Sequence, residues 1–346
     1  MPYTNFYKDK TILVTGGAGA IGRNLVESLT KLLPKKIIIL DNLSSSYVWN
    51  IPNNQNVLFI KGDIRNENDL RRSFHHKPTI VFHLAAFFAN QNSVDYPLIS
   101  EEVNGQGILK LLEYCVISGN IEKFVYTNSE GGAYGPDCTL PYVENKISLN
   151  LGSPYYISKM AAESYCYYYN SFYKLPISVV RLFNSYGPGE VPGQYRNVIP
   201  NFIYWALKKQ PLPLTGHKNI SRDFVFVNDT VEGILRAGFF KDAEGTAINI
   251  ATGKETLIYD IANIINSKTS NPSGIHVLEQ RKWDTREKII GSNKKCEEIL
   301  QFKPSNQLEK GIDLTIKWVE ENWKNIEQSA DFLPGLNPAI DVEKAN

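Results

Sequence analysis

The chain has 346 residues, 42% of them hydrophobic and 21% charged, which is enough material for about two globular lobes. Its 37 basic and 36 acidic residues nearly cancel, so it lacks the overall basic character that is typical of nucleic-acid-binding proteins. The polar N-terminus has no signal-peptide core, and the most apolar run, residues 80–89, is too short to cross a bilayer. We therefore expect a cytoplasmic protein with no membrane or nucleic-acid partner.

Cysteine and histidine usage gives no sign of a metal centre. The four cysteines lie far apart without a CxxC pair, and the five histidines form no HExxH or HxH motif. Cysteines in this pattern are typical of reduced, buried thiols. We expect neither disulfides nor a metal ion.

The first half of the chain alternates β-rich apolar runs with helical patterns. The predicted strands are Thr11–Thr15, Lys36–Asp41, Val57–Lys61, Ile80–Ala85, Lys123–Ser129 and Ile177–Asn184. Apolar residues recur at helical spacing between them, in Ala20–Leu33 and in Glu101–Ser118. Near-continuous apolarity is typical of strands that are covered on both faces. The alternation of strands and helices predicts an α/β fold with a doubly wound parallel sheet.

The sequence changes character after Tyr186, because glycine and proline crowd together in residues 187–193 and the later elements are shorter. The elements predicted there are helices Asn197–Lys209, Asn228–Phe240, Leu257–Ser267 and Leu308–Asn322 and strand Ala247–Ala251. We interpret residues 1–186 as one domain and residues 187–330 as a smaller mixed α/β domain from which some chain crosses back to the sheet. Residues 331–346 carry two prolines and no periodicity, which predicts an extended tail.

A glycine-rich turn follows the first predicted strand in TILVTGGAGAIGRNL. Gly16, Gly19 and Gly22 stand at GxxGxxG spacing, where a backbone without side chains can approach a pyrophosphate. Ala20 and Ile21 then begin an amphipathic helix, whose N-terminus favours an anion. This strand–glycine–helix context predicts a dinucleotide-binding site.

Two acidic residues stand at the ends of the next two predicted strands. Asp41, followed by Asn42, is placed to accept hydrogen bonds from the adenosine ribose and to repel a 2′-phosphate. We therefore expect NAD rather than NADP, although Arg23 is a cation within possible reach of a phosphate. Asp63, followed by Ile64, is placed to bind the adenine amino group, the alternative being a turn or helix-cap aspartate.

Tyr155 and Lys159 are four residues apart in SPYYISKMAAE, on one face of a predicted helix that runs to about Phe172. An ammonium beside a phenol favours the phenolate, which predicts a lowered tyrosine pKa and a general acid/base for a hydroxyl proton. Ser129, at the end of a predicted strand, is expected to hydrogen-bond the same substrate oxygen.

The motifs TGGAGAIG, DNLSS, GDI, FHLAA, PYYISK, RLFNSYGPG and SRDFVFVND occur in this order from about Thr11 to about Trp318. The chain thereby resembles the extended short-chain dehydrogenase/reductase family, in particular its nucleotide-sugar epimerases and dehydratases. The resemblance implies a Rossmann-type N-terminal domain with tightly held NAD and a small C-terminal domain that binds a nucleotide-sugar. It also implies a homodimer formed through a helical bundle.

The resemblance also implies roles for individual residues. Tyr155 is similar to the catalytic base, Lys159 to its partner on the nicotinamide ribose, and Ser129 to the catalytic serine or threonine. The residues expected to bind the sugar-nucleotide are Asn184, Val198, Arg222 and Arg281. Further cofactor contacts are expected at Leu84, Ala85, Ala86 and Asn104.

The segment TNSEGGAYG departs from the family pattern, because counting back four residues from Tyr134 gives Glu130 rather than Ser129. A one-residue insertion at Gly131–Gly132 restores Ser129, whereas another alignment makes Glu130 catalytic, as in decarboxylases or 4,6-dehydratases. We predict a C4 epimerase of a UDP-hexose. A UDP-glucuronate decarboxylase, a 4,6-dehydratase and, more remotely, a non-catalytic dinucleotide-binding module remain as alternatives.

Overall fold

The apolar runs of the first half form one sheet in the computed structural model, which describes residues 1–332 and residue 337. The strands are β1 Thr11–Thr15, β2 Lys36–Asp41, β3 Val57–Lys61, β4 Ile80–His83, β5 Lys123–Ser129, β6 Ile177–Leu182, β7 Asn184–Tyr186, β8 Leu212–Thr215, β9 Ser221–Arg222, β10 Phe224–Phe226, β11 Ala247–Ile250, β12 Thr256–Leu257 and β13 Ile275–Leu278. Seven of them pair in the order β11-β6-β5-β4-β1-β2-β3, and all neighbours run parallel. The chain moves outward in opposite directions from β1 and β4, so a crevice opens at their carboxyl ends.

Helices cover both faces of this sheet. The α-helices of the described part of the chain are α1 Thr4–Tyr7, α2 Ala20–Thr30, α3 Glu67–Phe74, α4 Asn90–Asp95, α5 Pro97–Glu101, α6 Ile108–Ser118, α7 Pro154–Tyr173, α8 Val198–Leu207, α9 Val227–Phe239, α10 Ile258–Lys268, α11 Lys294–Leu300, α12 Leu308–Glu321 and α13 Trp323–Ser329. Alternate residues of β1 face opposite sides, since Ile12 and Val14 belong to the apolar cluster that includes α2 and α9, whereas Leu13 belongs to the cluster of α6 and α7. The predicted doubly wound fold is confirmed.

Several predicted elements have different limits in the structure. The strand predicted as Ile177–Asn184 divides after Leu182, because the Asn184 amide bonds the Asp223 carbonyl at 3.1 Å and so joins a different sheet. The strand predicted as Ile80–Ala85 ends at His83. The helix predicted as Glu101–Ser118 contains a π-helical turn at Glu102–Gly107, where two glycines weaken the preference for an α-helix.

The second half adds β11 to the edge of the main sheet beside β6 and forms small two-stranded sheets from β7 with β10, β8 with β13 and β9 with β12. Helices α8, α10 and α12 pack against one another in this half. The division into domains at residue 186 remains a prediction. Of the predicted tail 331–346, only Asp331, Phe332 and Asn337 are described, and Phe332 stacks on Tyr204. In the described part of the chain, no helix is both long and apolar enough to span a bilayer.

Helix α7 carries two of the predicted catalytic residues. Ser153 caps its N-terminus by accepting a hydrogen bond from the Tyr156 amide, and Pro154 occupies the first helical position, where a missing N–H costs nothing. The helix packs on β5 and β6. This packing turns the face that bears Tyr155 and Lys159 toward the crevice.

Candidate active site

A first cavity of about 360 Å³ lies over the carboxyl ends of the central strands. Most of the residues predicted to bind the dinucleotide line it. They are Gly16, Gly19, Ala20, Ile21, Gly22, Asp41, Asn42, Asp63, Ile64, Leu84, Ala85, Ala86, Tyr155 and Lys159. The ends of four different strands and helix α7 contribute to this set, so the cavity exists only in the folded sheet.

The glycine turn leaves no space for side chains at two of its positions. Gly16 has a φ of +71°, and a Cβ atom there would lie 2.6 Å from the Ala85 amide nitrogen. A Cβ atom on Gly22 would lie 2.1 Å from the Gly16 carbonyl oxygen. Gly19 is the N-cap of α2, so unpaired amides of the first helical turn face the cavity. This geometry fits a dinucleotide pyrophosphate.

Asp41 is 8% exposed and is held at the end of β2. Its carboxylate accepts hydrogen bonds from the Ala18 amide at 3.0 Å, the Leu43 amide at 2.8 Å and the Ser46 hydroxyl at 2.8 Å. These bonds fix a negative charge on the cavity wall beside the glycine turn.

Asp63 follows β3 and is bonded by Asn42 at 2.9 Å and by the Arg65 guanidinium. Burial raises the pKa of Asp63, but hydrogen bonds from Arg65 and Asn42 outweigh burial and lower that pKa to about 2. Asp63 is therefore ionised and acts as a hydrogen-bond acceptor at the cavity wall.

Asn104 differs from the other predicted cofactor contacts because it lies behind the cavity wall. Its side-chain oxygen accepts a hydrogen bond from the Phe87 amide at 2.8 Å, and its side-chain nitrogen lies 3.1 Å from the Ser158 hydroxyl. Asn104 therefore supports the loop after β4, and its direct contact with the cofactor stays a prediction.

Lys159 and Tyr155 are both buried in the floor of the first cavity. The Lys159 ammonium donates to the Thr127 carbonyl oxygen at 2.7 Å and lies 4.3 Å from the centroid of the Tyr126 ring. Burial lowers the pKa of Lys159 to about 7. Burial raises the pKa of Tyr155, which is opposite to the direction predicted from the spacing, because desolvation of the phenolate dominates.

A second cavity of about 550 Å³ adjoins the first and is lined by both halves of the chain. The predicted substrate residues Asn184, Val198, Arg222 and Arg281 all line it. Residues common to the two cavities include Asn90, Glu130, Tyr156 and Asn184. A ligand in one cavity can therefore contact a ligand in the other.

The two predicted arginines of the second cavity have different surroundings. Arg222 forms an ion pair with Asp284, in which one guanidinium nitrogen, Nη2, lies 2.8 and 3.0 Å from the two carboxylate oxygens. Arg281 lies over the ring of Trp283, 5.8 Å from its centroid, and forms no ion pair with the described residues. One arginine is thus fixed by a carboxylate and the other is open to an anionic ligand.

Sequence reasoning missed several residues of this site. Arg286 bonds the Glu130 carboxylate at 2.9 Å and the Tyr156 hydroxyl at 3.0 Å, and Asp284 holds Arg222. Their stretch, QRKWDTRE, contains several charged residues with no spacing that distinguishes a buried one from an exposed one. Only the fold brings these side chains to the cavities.

A dinucleotide cradle, a Tyr–Lys pair on one helix and an adjoining second cavity define a short-chain dehydrogenase/reductase of the extended type. Residues 12–251 match the model of the NAD dependent epimerase/dehydratase family. The chain belongs to this family, and NAD is its cofactor, as predicted.

Relatives of known name span nearly the whole chain. A UDP-glucose 4-epimerase of Mycolicibacterium smegmatis is 32% identical, with 88% of this chain and 97% of the relative covered. An epimerase structure from Methanothermobacter thermautotrophicus is 47% identical, covers 96% and 98% of the two chains and has a TM-score of 0.94.

A third relative was solved with a sugar-nucleotide. The UDP-N-acetylglucosamine 4-epimerase of Methanobrevibacter ruminantium, in complex with UDP-N-acetylmuramic acid, is 30% identical, covers 91% and 99% of the chains and has a TM-score of 0.84. Relatives named as a decarboxylase and as 4,6-dehydratases also match, at 30–31% identity. The family thus includes several reactions on related substrates.

Proposed function

We propose that the protein is an NAD-dependent epimerase that inverts C4 of a UDP-hexose through a transient 4-keto sugar. The observation that carries this proposal is the junction of the two cavities, where Tyr155 and Ser129 line the first cavity and Glu130 and Tyr156 line both. The hexose bound at this junction presents a hydroxyl-bearing carbon to both the tyrosine and the nicotinamide.

The chain's own groups account for the proton transfer. NAD bound in the first cavity would supply the hydride acceptor for C4 of the sugar and would return the hydride to the opposite face, which inverts C4. Tyr155 takes the proton of the 4-hydroxyl and later gives it back, acting as general base and then as general acid. The Ser129 hydroxyl forms no hydrogen bond with the described residues and lines the first cavity, so it is available to the same oxygen. The Lys159 side chain lines the same cavity and is available to a ribose hydroxyl.

The second cavity supports a nucleotide-sugar as the substrate. Arg222, Arg281 and Asn184 supply guanidinium and amide groups for a diphosphate, and a guanidinium matches phosphate geometry bidentately. The apolar residues Leu214 and Leu278 line the same cavity and give a nucleobase a surface to pack on. We favour uridine as the base because relatives that cover nearly the whole chain carry UDP-sugars in their names.

The sequence around Glu130 argues against the dehydratase alternative. Both of its carboxylate oxygens lie within 3.4 Å of the Arg286 guanidinium. Elimination of water needs a proton donor as well as a base, and the residue before Glu130 is Ser129 rather than an aspartate. The non-catalytic alternative is disfavoured because Ser129, Tyr155 and Lys159 all line one cavity.

We also propose a homodimer formed through α7 and its neighbours, with residues 1–186 and 187–330 as the two domains. Helix α7 exposes Ile157, Tyr168 and Phe172, and α5 exposes Leu98 to 78% of its surface. Apolar side chains exposed on adjacent helices are typical of a helix–helix interface. The four cysteines are unpaired, which supports a cytoplasmic location.

A panel of UDP-, GDP-, CDP- and dTDP-hexoses, incubated with the purified protein and followed by NMR, tests the proposed reaction. We expect inversion at C4 of a UDP-hexose without net release of water or carbon dioxide and without added oxidant. Tyr155→Phe serves as the control for background conversion. Release of carbon dioxide from a UDP-uronate, or of water from a hexose, would replace the proposal with one of the alternatives.

A further inference from the structure

A buried ion pair connects the second half of the chain to the end of β5. The Arg286 guanidinium donates to one Glu130 carboxylate oxygen at 2.9 Å and lies 3.4 Å from the other. Only 9% of the arginine side chain and 6% of the glutamate side chain are exposed. Charges buried to this degree are costly unless they are paired and hydrogen-bonded.

Arg286 has further partners that fix its orientation. It donates to the Tyr134 carbonyl oxygen at 3.0 Å and to the Tyr156 hydroxyl at 3.0 Å, and its guanidinium carbon lies 5.1 Å from the centroid of the Tyr156 ring. Tyr156 in turn accepts a hydrogen bond from Asn90 at 2.8 Å. The arginine therefore joins Glu130 and Tyr156, the neighbour of Tyr155, in one rigid cluster.

The Glu130 carboxylate retains unused acceptor capacity. A carboxylate can accept about four hydrogen bonds. Within residues 1–332 it accepts bonds from Arg286 alone. Glu130 lines both cavities, so the remaining lone pairs are available to a group bound where the cavities meet.

We propose that Arg286 is a positioning residue that holds Glu130 as a fixed hydrogen-bond acceptor for a hydroxyl group of the bound hexose. Proton transfer is thereby left to Tyr155. This inference rests on the proposed function and deepens it. It assigns the recognition of a neutral, hydroxyl-bearing part of the sugar to Glu130, whose role the sequence left open.

The titratable and charged groups that face Glu130 come from several elements. They are Tyr142, Tyr155, Tyr156 and Arg286. Arg286 is the one cation among them. Removal of the Arg286 charge leaves a buried carboxylate among phenols without a cation beside it, an environment that disfavours the charged form.

The test compares the affinities of UDP-glucose and UDP, measured by calorimetry on the NAD-loaded protein. In Glu130→Gln, we expect the affinity for UDP-glucose to fall about 10- to 100-fold while that for UDP is unchanged, because a hydrogen bond to a charged acceptor is lost. Equal loss for both ligands, or no loss for either, would overturn the inference.

A pH series separates positioning from a purely structural role. In Arg286→Met, we expect UDP-glucose affinity to fall as the pH is lowered from ~9 to ~6, because a protonated Glu130 no longer accepts a charge-assisted hydrogen bond. Arg286→Met combined with Glu130→Gln should abolish this pH dependence, and Arg286→Lys should restore part of the affinity. A pH-independent loss in Arg286→Met would show that the arginine is only structural.

Lys123→Met provides the matched control. Lys123 is buried and forms an ion pair with the partly exposed Glu244 at the opposite end of β5, away from both cavities, so its loss should lower stability without altering the ratio of the two affinities. Turnover of a UDP-hexose, followed separately by NMR, reports on the proposed function. Failure of epimerisation and failure of this inference therefore give different results.

Discussion

The Lys159 ammonium donates a hydrogen bond of 2.7 Å to the carbonyl oxygen of Thr127. The bond joins the middle of α7 to the end of β5, and the ammonium also lies 4.3 Å from the Tyr126 ring centroid. Burial lowers the pKa of this lysine to about 7. Lys159, which the sequence places on the same helix face as Tyr155, is thus held in position by a hydrogen bond to the sheet.

The lowered pKa of Lys159 predicts a pH-dependent stability. Between about pH 7 and pH 10 the unfolded state binds a proton at this lysine that the native state does not. The free energy of unfolding therefore rises with pH in this window, because the unfavourable contribution of the buried charge disappears. Below about pH 7 the native state must hold a desolvated charge. We expect the free energy of unfolding of the cofactor-free protein, relative to Lys159→Met, to increase across this window in urea titrations. A constant difference would contradict the assignment.

Tyr155→Phe tests the general acid/base. The phenylalanine keeps the ring, which contacts Phe88 edge-on at 6.1 Å between centroids, but removes the hydroxyl. Loss of general acid/base catalysis typically costs ~100- to ~10,000-fold in rate. We expect kcat to fall at least ~100-fold in steady-state assays while NAD and UDP-hexose still bind. Turnover near the wild-type rate would assign the proton transfer to another group, Glu130 first.

Substitutions at Arg222 and Asp284 should lower the affinity for the substrate to different degrees. Arg222→Ala removes a guanidinium that lines the second cavity, so we expect KM for the UDP-hexose to rise ~10-fold or more while NAD affinity stays near wild type. Asp284→Asn leaves the guanidinium but weakens the ion pair that anchors it, so a smaller increase in KM should result. Unchanged KM in Arg222→Ala would show that this arginine does not contact the phosphates.

The position of Asp41 predicts that the protein binds NAD in preference to NADP. Its carboxylate is 8% exposed and fixed by three hydrogen bonds, so a 2′-phosphate at this wall would face a buried like charge. We expect NAD to bind at least ~10-fold more tightly than NADP in fluorescence titrations, and Asp41→Ser to narrow the difference. Equal affinities in the wild type would refute this explanation.

The sequence by itself determined the features that depend on short spacing. The glycine turn from Gly16 to Gly22, Asp41 at the end of β2, and Tyr155 with Lys159 on α7 each lie within one element or at its boundary. Local periodicity also predicted the parallel sheet, because buried strands and amphipathic helices have different apolar repeats.

Only the tertiary structure decided how distant charges pair. Glu130 meets Arg286 across 156 residues, and Arg222 meets Asp284 across 62 residues. No local pattern distinguishes such partners from exposed charges, since their burial results from the packing of the two halves of the chain. Burial likewise determined the pKa shifts of Tyr155 and Lys159, because desolvation depends on every neighbour that excludes water from the site.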